Sequence, residues 1–197
     1  DNINNNANVN LTLQANSGAI TTDLDVVGSV GTNDVLNIVN AATGSNEFDT
    51  NNDVFETINL VAFSTTADPT IITGAYSLGT PAGTGVLTIN GAGLGVGNVV
   101  TITGTNSATP MSITTGIAAD DITLGTKADT IVSGAGNDTI TGTAGSNTIT
   151  AGDGVDTVTL GTGAETIDMG AGNDIITAGG NLANTDIIDG GAGTDTL

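Results

Sequence analysis

The chain is predicted to be all-β. Its C-terminal part reads as a coiled solenoid, and its N-terminal part as an irregular β-solenoid or a β-sandwich-like arrangement. Three observations lead there. Val, Ile and Thr, which favour strands, and Gly and Asn, which favour tight turns, make up much of the 197 residues. No ten-residue stretch places apolar residues at helical spacing with charged flanks. From Thr115 onward the sequence repeats every nine residues. Two segments follow from this, a β-rich strand and loop segment over 1–114 and a repeat segment over 115–197.

The repeat is the most informative feature. Seven units run without a gap from Thr115 to Thr177: TGIAADDIT, LGTKADTIV, SGAGNDTIT, GTAGSNTIT, AGDGVDTVT, LGTGAETID and MGAGNDIIT. Their eighth position is always Ile or Val, from Ile122 and Ile131 to Val158 and Ile176. Their sixth is Asp, except at Asn147 and Glu165. A twelve-residue unit, Ala178 to Asp189, then restores the phase with Asp186 and Ile188, and GGAGTDTL ends the chain. The Gly-rich half of each unit bends the backbone, because Gly permits angles closed to other residues. The other half is a short strand whose central Ile points inward. One unit cannot bury its Ile alone, but a stack can.

If each unit is half a coil, residues eighteen apart lie above one another. This separates two rows. The first carries Asp120, Asp138, Asp156, Asp174 and, past the insertion, Asp195. The second carries Asp129, Asn147, Glu165 and Asp186. The first row has the better glycine loops, SGAGND, AGDGVD, MGAGND and GGAGTD, while Lys127 and Asn147 interrupt the second. Carboxylates one strand spacing apart (~4.8 Å) repel each other. A divalent cation between them, with turn carbonyls completing its oxygen shell, removes that cost. The expectation is a well-filled calcium row and a degraded one. A metal-free solenoid with Asp as ordinary turn residues is the alternative, but turn chemistry does not require Asp at one slot of one row.

These units resemble the RTX nonapeptide repeat G-G-x-G-x-D-x-U-x. The resemblance covers residues 115–197 and implies a calcium-binding parallel β-roll. It implies metal ligation by Asp138, Asp156, Asp174 and Asp195, with Asp120 in a loop, TGIAAD, that lacks the second glycine. The loop carbonyls it implicates are those of Gly134, Gly136, Gly152, Gly154, Gly170, Gly172, Gly191 and Gly193. Asp129 and Asp186 are the second-row candidates. In Gram-negative bacteria such repeats occur in secreted toxins, proteases, lipases, adhesins and S-layer proteins.

Residues 1–114 are less regular. Val9 to Leu13, Val35 to Val39, Ile58 to Phe63, Val86 to Ile89 and Val99 to Ile102 read as strands. Pro69, Pro81 and Pro110 are expected between or after strands. The stretch GSVGTNDVL, residues 28–36, is a worn repeat in which Asn33 or Asp34 could take the carboxylate role. Residues 49–53, DTNND with Glu47 nearby, have the spacing of a calcium loop without its glycine, and both stretches read rather as polar surface loops than as metal sites.

Composition then narrows function. There are 21 acids against one base, a formal charge of −20, and no His or Cys. One cation cannot neutralise phosphates, so nucleic acid is not an expected partner. Without Cys there is no disulfide, and without His the commonest catalytic base is missing. No transmembrane run is present. The adjacent Asp120 and Asp121 point to opposite faces of a strand and make no acid–base pair, so no enzyme activity is expected. Hard oxygen chemistry remains, and with it Ca2+. The high charge also predicts a chain that needs a counter-ion to stay folded.

The leading expectation is a calcium-dependent, self-assembling structural protein of S-layer type, extracellular or on the bacterial cell surface, forming a homo-oligomer or lattice. The alternative is a calcium-binding module of a secreted adhesin or enzyme. Opening at Asp1 and stopping at Leu197 inside a repeat, the chain reads as a fragment of a longer protein. Residues 69–119 carry no charged side chain, which fits a face that packs on a neighbouring copy. Outward Thr pairs such as Thr139/Thr141 are similar to those of ice-binding solenoids, but the ladder breaks at Asp121, Asp168, Ile175 and Asp189.

Overall fold

A computed structural model describes residues 10–15, 35–40, 44–49, 57–61, 67–72, 86–104 and 109–197. The strands are β1 (Asn10–Ala15), β2 (Val35–Asn40), β3 (Gly44–Asp49), β4 (Thr57–Val61), β5 (Ala67–Ile72), β6 (Leu87–Asn90), β7 (Thr101–Thr103) and β8 (Met111–Thr114). They continue as β9 (Asp121–Thr123), β10 (Thr130–Ala135), β11 (Thr139–Thr141), β12 (Thr148–Asp153), β13 (Thr157–Thr159), β14 (Thr166–Ala171), β15 (Ile175–Thr177) and β16 (Ile187–Asp189). Among the described residues none is helical, so none forms a helix that could cross a membrane.

The strands lie in two parallel sheets. One has the order β1-β2-β4-β6-β8-β10-β12-β14-β16, and the other β15-β13-β11-β9-β7-β5-β3. From β8 onward the chain crosses from sheet to sheet at each turn, so parallel neighbours there need no helical crossover. This is a β-solenoid, and in the repeat region a β-roll. Its N-terminal strands extend the same two sheets as a solenoid; they do not form a sandwich of their own.

The register follows the repeat. Thr130 pairs with Thr148, and Thr148 with Thr166. Thr139 pairs with Thr157 in the other sheet. The longer unit is absorbed as expected, with Thr166 opposite Ile187. Ile122, Ile140, Val158 and Ile176 of one sheet and Ile131, Ile149 and Ile167 of the other are 4% exposed or less and form the core. Burial of one such side chain contributes roughly 1.5–3 kcal/mol. Ile102, Ile113, Ile89 and Ile58 carry the core toward the N-terminus.

The coils lengthen there. Asn10 pairs with Val35, Val35 with Thr57, and Thr57 with Thr88, steps of 25, 22 and 31 residues. The strands expected from Val35, Ile58, Val86 and Val99 are present with shifted ends, while β3, β5 and β8 were not foreseen. Pro69 is a correction. It lies inside β5, opposite Asn46, instead of between strands. It is tolerated because β7 begins to pair with β5 only at Thr70. Glu47 and Asp49 likewise lie in β3, not in a loop. Asn33, Asp34, Pro81 and residues 50–53 fall outside the described residues.

Candidate metal-binding ladder

Each strand of the repeat is preceded by a sixth-position side chain that turns inward beneath the glycine bend. Asp120, Asp138, Asp156 and Asp174 are 2% exposed or less, and Asp195 is half-buried. The eighteen-residue coil stacks the four, and the insertion brings Asp195 into line. They are joined by one repeated contact. Oδ1 of Asp138 accepts the amide of Asp120, Oδ1 of Asp156 that of Asp138, and Oδ1 of Asp174 that of Asp156, each at 2.8 Å. Oδ1 of Asp195 accepts from Asp174 at 3.1 Å, and the series starts where Val100 donates to Asp120 at 2.7 Å. These amides, unforeseen in the sequence, offset part of the repulsion between carboxylates.

The second oxygen of each carboxylate is different. Oδ2 of Asp120, Asp138, Asp156 and Asp174 is buried and has no hydrogen-bond partner. A buried unpaired carboxylate oxygen is costly, and a cation is the ligand that satisfies it. Burial raises the pKa of Asp120 and Asp156 and pushes Asp138 up to about 6. Amide donors oppose the shift, while the charges of Asp120 and Asp156 add to it at Asp138.

The second row is built otherwise. Both oxygens of Asp129 are engaged, by the amides of Met111 at 2.8 Å and Gly125 at 3.1 Å. Both oxygens of Asp186 are too, by Glu165 at 3.0 Å and Ala183 at 2.8 Å. Asn147 accepts from Asp129 at 3.0 Å, but its Nδ2 has no partner. Glu165 is buried with neither carboxylate oxygen hydrogen-bonded. Burial and then the charge of Asp186 raise its pKa, whereas the amide of Ala183 and that of Glu165 lower the pKa of Asp186. Asp129 is raised by burial against its two amide donors.

The glycines close the wall of the first row. A Cβ on Gly152 would lie 1.8 Å from the carbonyl oxygen of Gly134, and one on Gly154 1.6 Å from that of Gly136. The same stacking sets Gly170 and Gly172 over Gly152 and Gly154, and Gly191 and Gly193 over Gly170 and Gly172. Turn carbonyls therefore run in columns with no room for a side chain. In the TGIAAD loop the oxygen under Gly136 is that of Ala118, so the missing glycine does not interrupt the column. Among the described residues no three acidic side chains converge on one point. A cation here would draw on single carboxylates and backbone oxygens.

Toward the N-terminus the inward slot changes character. Register places Val100 above Asp120 and Met111 above Asp129, with Leu87 above Met111. All three are buried and apolar.

Comparison with protein families gives a match to the RTX calcium-binding nonapeptide repeat (4 copies) at residues 114–149, 123–158, 132–167, 141–176, 160–181 and 182–197. The nonapeptide units of residues 114–197 are of the RTX repeat type. The RTX segment coincides with the stretch of acidic inward slots, and the residues of its first row fit the ion the family binds, because they present unpartnered buried oxygens beside carbonyl columns. No curated protein and no solved structure matches the chain. Glu165 was legible as a departure from the Asp pattern. Thr115 and Ser133, buried at the head of first-row units, were not singled out. Comparing first positions eighteen residues apart would have found them.

Proposed function

We propose that this chain is a calcium-ordered, non-catalytic structural segment of an extracellular protein, in which Asp120, Asp138, Asp156, Asp174 and Asp195 with the neighbouring glycine-loop carbonyls hold Ca2+. The column of unpartnered Oδ2 atoms carries this reading. Bound calcium would neutralise charges that the folded chain otherwise holds in its interior. Export from low to high calcium would then complete folding.

The finer reading is self-assembly at a cell surface, as in an S-layer. The uncharged stretch 69–119 supports it. There Val96 and Ile117 stand exposed on consecutive turns of a protein that elsewhere carries a large negative charge. Confinement of the family match to residues 114–197 favours the second reading, a calcium-binding module of a secreted adhesin or enzyme.

Circular dichroism and sedimentation velocity, in calcium and in excess EGTA, test both. The calcium reading expects strand signal that falls in EGTA and recovers on adding calcium; an unchanged spectrum defeats it. Large, chelator-dispersed assemblies support the surface-layer reading, and a lasting monomer in calcium supports the module.

A further inference from the structure

Buried polar atoms divide the solenoid at one boundary. Among the described residues, seven side-chain atoms are buried without a hydrogen-bond partner, and all belong to Asp120, Asp138, Asn147, Asp156, Glu165 and Asp174. None lies in the coils of β6, β7 and β8. Those coils close by other means. Their inward slots hold Leu87, Val100 and Met111, and the turn between β6 and β7 buries Leu94. That turn is tied by its own bonds. The amide of Leu94 donates to the carbonyl of Gly91 at 2.9 Å, that of Asn98 to the carbonyl of Gly95 at 3.0 Å, and that of Gly95 to Oδ1 of Asn98 at 3.1 Å. On the outer face, Asn90 donates to Asn59 at 3.5 Å and Asn59 to Asn37 at 2.9 Å, which links β6 to β4 and β2. Residues 69–119 carry no charged side chain, so the coils of β6, β7 and β8 hold no buried charge that an ion must neutralise.

Both acidic rows are anchored at the same boundary. Oδ1 of Asp120 accepts the amide of Val100, and Oδ1 of Asp129 that of Met111. β9 lies on the edge of β7, and β10 on the edge of β8. A coil that forms alone must close its loop before any neighbour rewards it. A coil added to an existing edge gains contacts as it closes. We propose that the coils of β6, β7 and β8 are a calcium-independent seed, and that calcium lays the acidic coils onto it in order from Asp120 toward Asp195. Val100 and Met111 supply the seed's first two amides, and β7 and β8 its first two strand edges. The proposal rests on the calcium reading above and adds where folding starts and which way it runs.

Hydrogen exchange of the whole chain, followed by mass spectrometry, tests it. In excess EGTA the amides of residues 87–95 should exchange at least ~10-fold more slowly than those of 157–177, and in saturating calcium both segments should be protected. In pulse labelling after calcium is added to the EGTA-treated chain, 121–132 should gain protection before 166–177. Met111→Asp puts an uncompensated carboxylate into the apolar slot. It should erase the protection of 87–95 in EGTA and delay that of 121–132, while Met111→Leu should change neither. If Met111→Asp fails to fold in calcium, the two measurements on the parent chain decide. Exchange of 87–95 in EGTA as fast as that of 157–177 overturns the proposal and leaves the calcium reading standing. So does protection that reaches 166–177 first or at the same time, and so does a Met111→Asp chain that keeps 87–95 protected in EGTA. Protection of 157–177 that is equal with and without calcium overturns the calcium reading and the seed together.

Discussion

The amide of Asp138 donates a 2.8 Å hydrogen bond to Oδ1 of Asp156, eighteen residues further along and one coil away. The contact gives the two oxygens of Asp120, Asp138, Asp156 and Asp174 separate tasks. One caps the backbone of the preceding coil, and the other is left buried and unpaired. A single Asp thus serves the fold through Oδ1 and a cation through Oδ2.

That division predicts the behaviour of Asp156→Asn. The amide oxygen can keep the bond to Asp138, while the charge and the free oxygen disappear. Calcium affinity should fall about tenfold or more, a loss of ~1.4 kcal/mol. The metal-free protein should become more stable, by about 1 kcal/mol, because an uncompensated buried charge is gone. Calorimetric titration and melting in EGTA measure the two effects, and equal signs with and without calcium would contradict the assignment.

Asp129→Asn should do the reverse. Both oxygens of Asp129 already accept amides, and an Asn loses one of these bonds whichever way it is turned. Stability should drop by about 1–3 kcal/mol in calcium and in EGTA alike. Calcium affinity should change much less than in Asp156→Asn, as the same titration shows.

The pH dependence should change sign with calcium. The folded-state pKa of Asp138, about 6, lies above its ordinary value of 3.8. The metal-free fold therefore binds more protons than the unfolded chain between these values. Its stability should rise as pH falls through 6 toward 4 and be lowest above 6. In saturating calcium the carboxylates are held ionised, so acid competes with the ion and the melting temperature should fall over the same range. Thermal melts at pH 7, 6 and 5 in each condition give the comparison.

Gly152→Ala should prevent the coils from closing. Its φ is +111°, and a Cβ would lie 1.8 Å from the carbonyl oxygen of Gly134. A cost of about 3 kcal/mol or more is expected, and both strand content and calcium binding should suffer. Gly93→Ala is the control, since a Cβ there meets nothing within 4 Å. It should melt within about 1 °C of the parent.

Ile140→Ala tests the core. Ile140 is fully buried between Ile122 and Val158 of the neighbouring coils. Truncation should cost about 2–5 kcal/mol, because a stacked core cannot collapse around the gap. Denaturant unfolding in saturating calcium measures it without interference from metal loss.

Much of the C-terminal architecture was legible because each repeat unit has one length. Once Ile recurs every nine residues, simple arithmetic places Asp120 beside Asp138 and carries Asp195 across the insertion into the same row. Residues 1–114 lacked that ruler. Their coils run to 22, 25 and 31 residues, so no fixed spacing links Asn59 to Asn37 or Asn90, which are hydrogen-bonded on one face. Pro69 misled for a related reason. A proline is excluded from a strand by its neighbours, and nothing local says that β7 begins one residue later.

Period, handover between two sheets, and two unequal acidic rows were determined by the residues in order, because equal units can stack in only one register that buries every Ile. Which oxygen of Asp156 meets a backbone amide and which meets nothing was decided by tertiary structure. So were the satisfied state of Asp129, the bonds by which the hydroxyls of Thr115 and Ser133 donate to the carbonyls of Ser133 and Ala151, and the replacement of the acidic slot by Val100 and Met111. These depend on how far apart consecutive coils sit and which way each side chain turns beneath its glycine bend. Spacing along a chain does not encode such quantities.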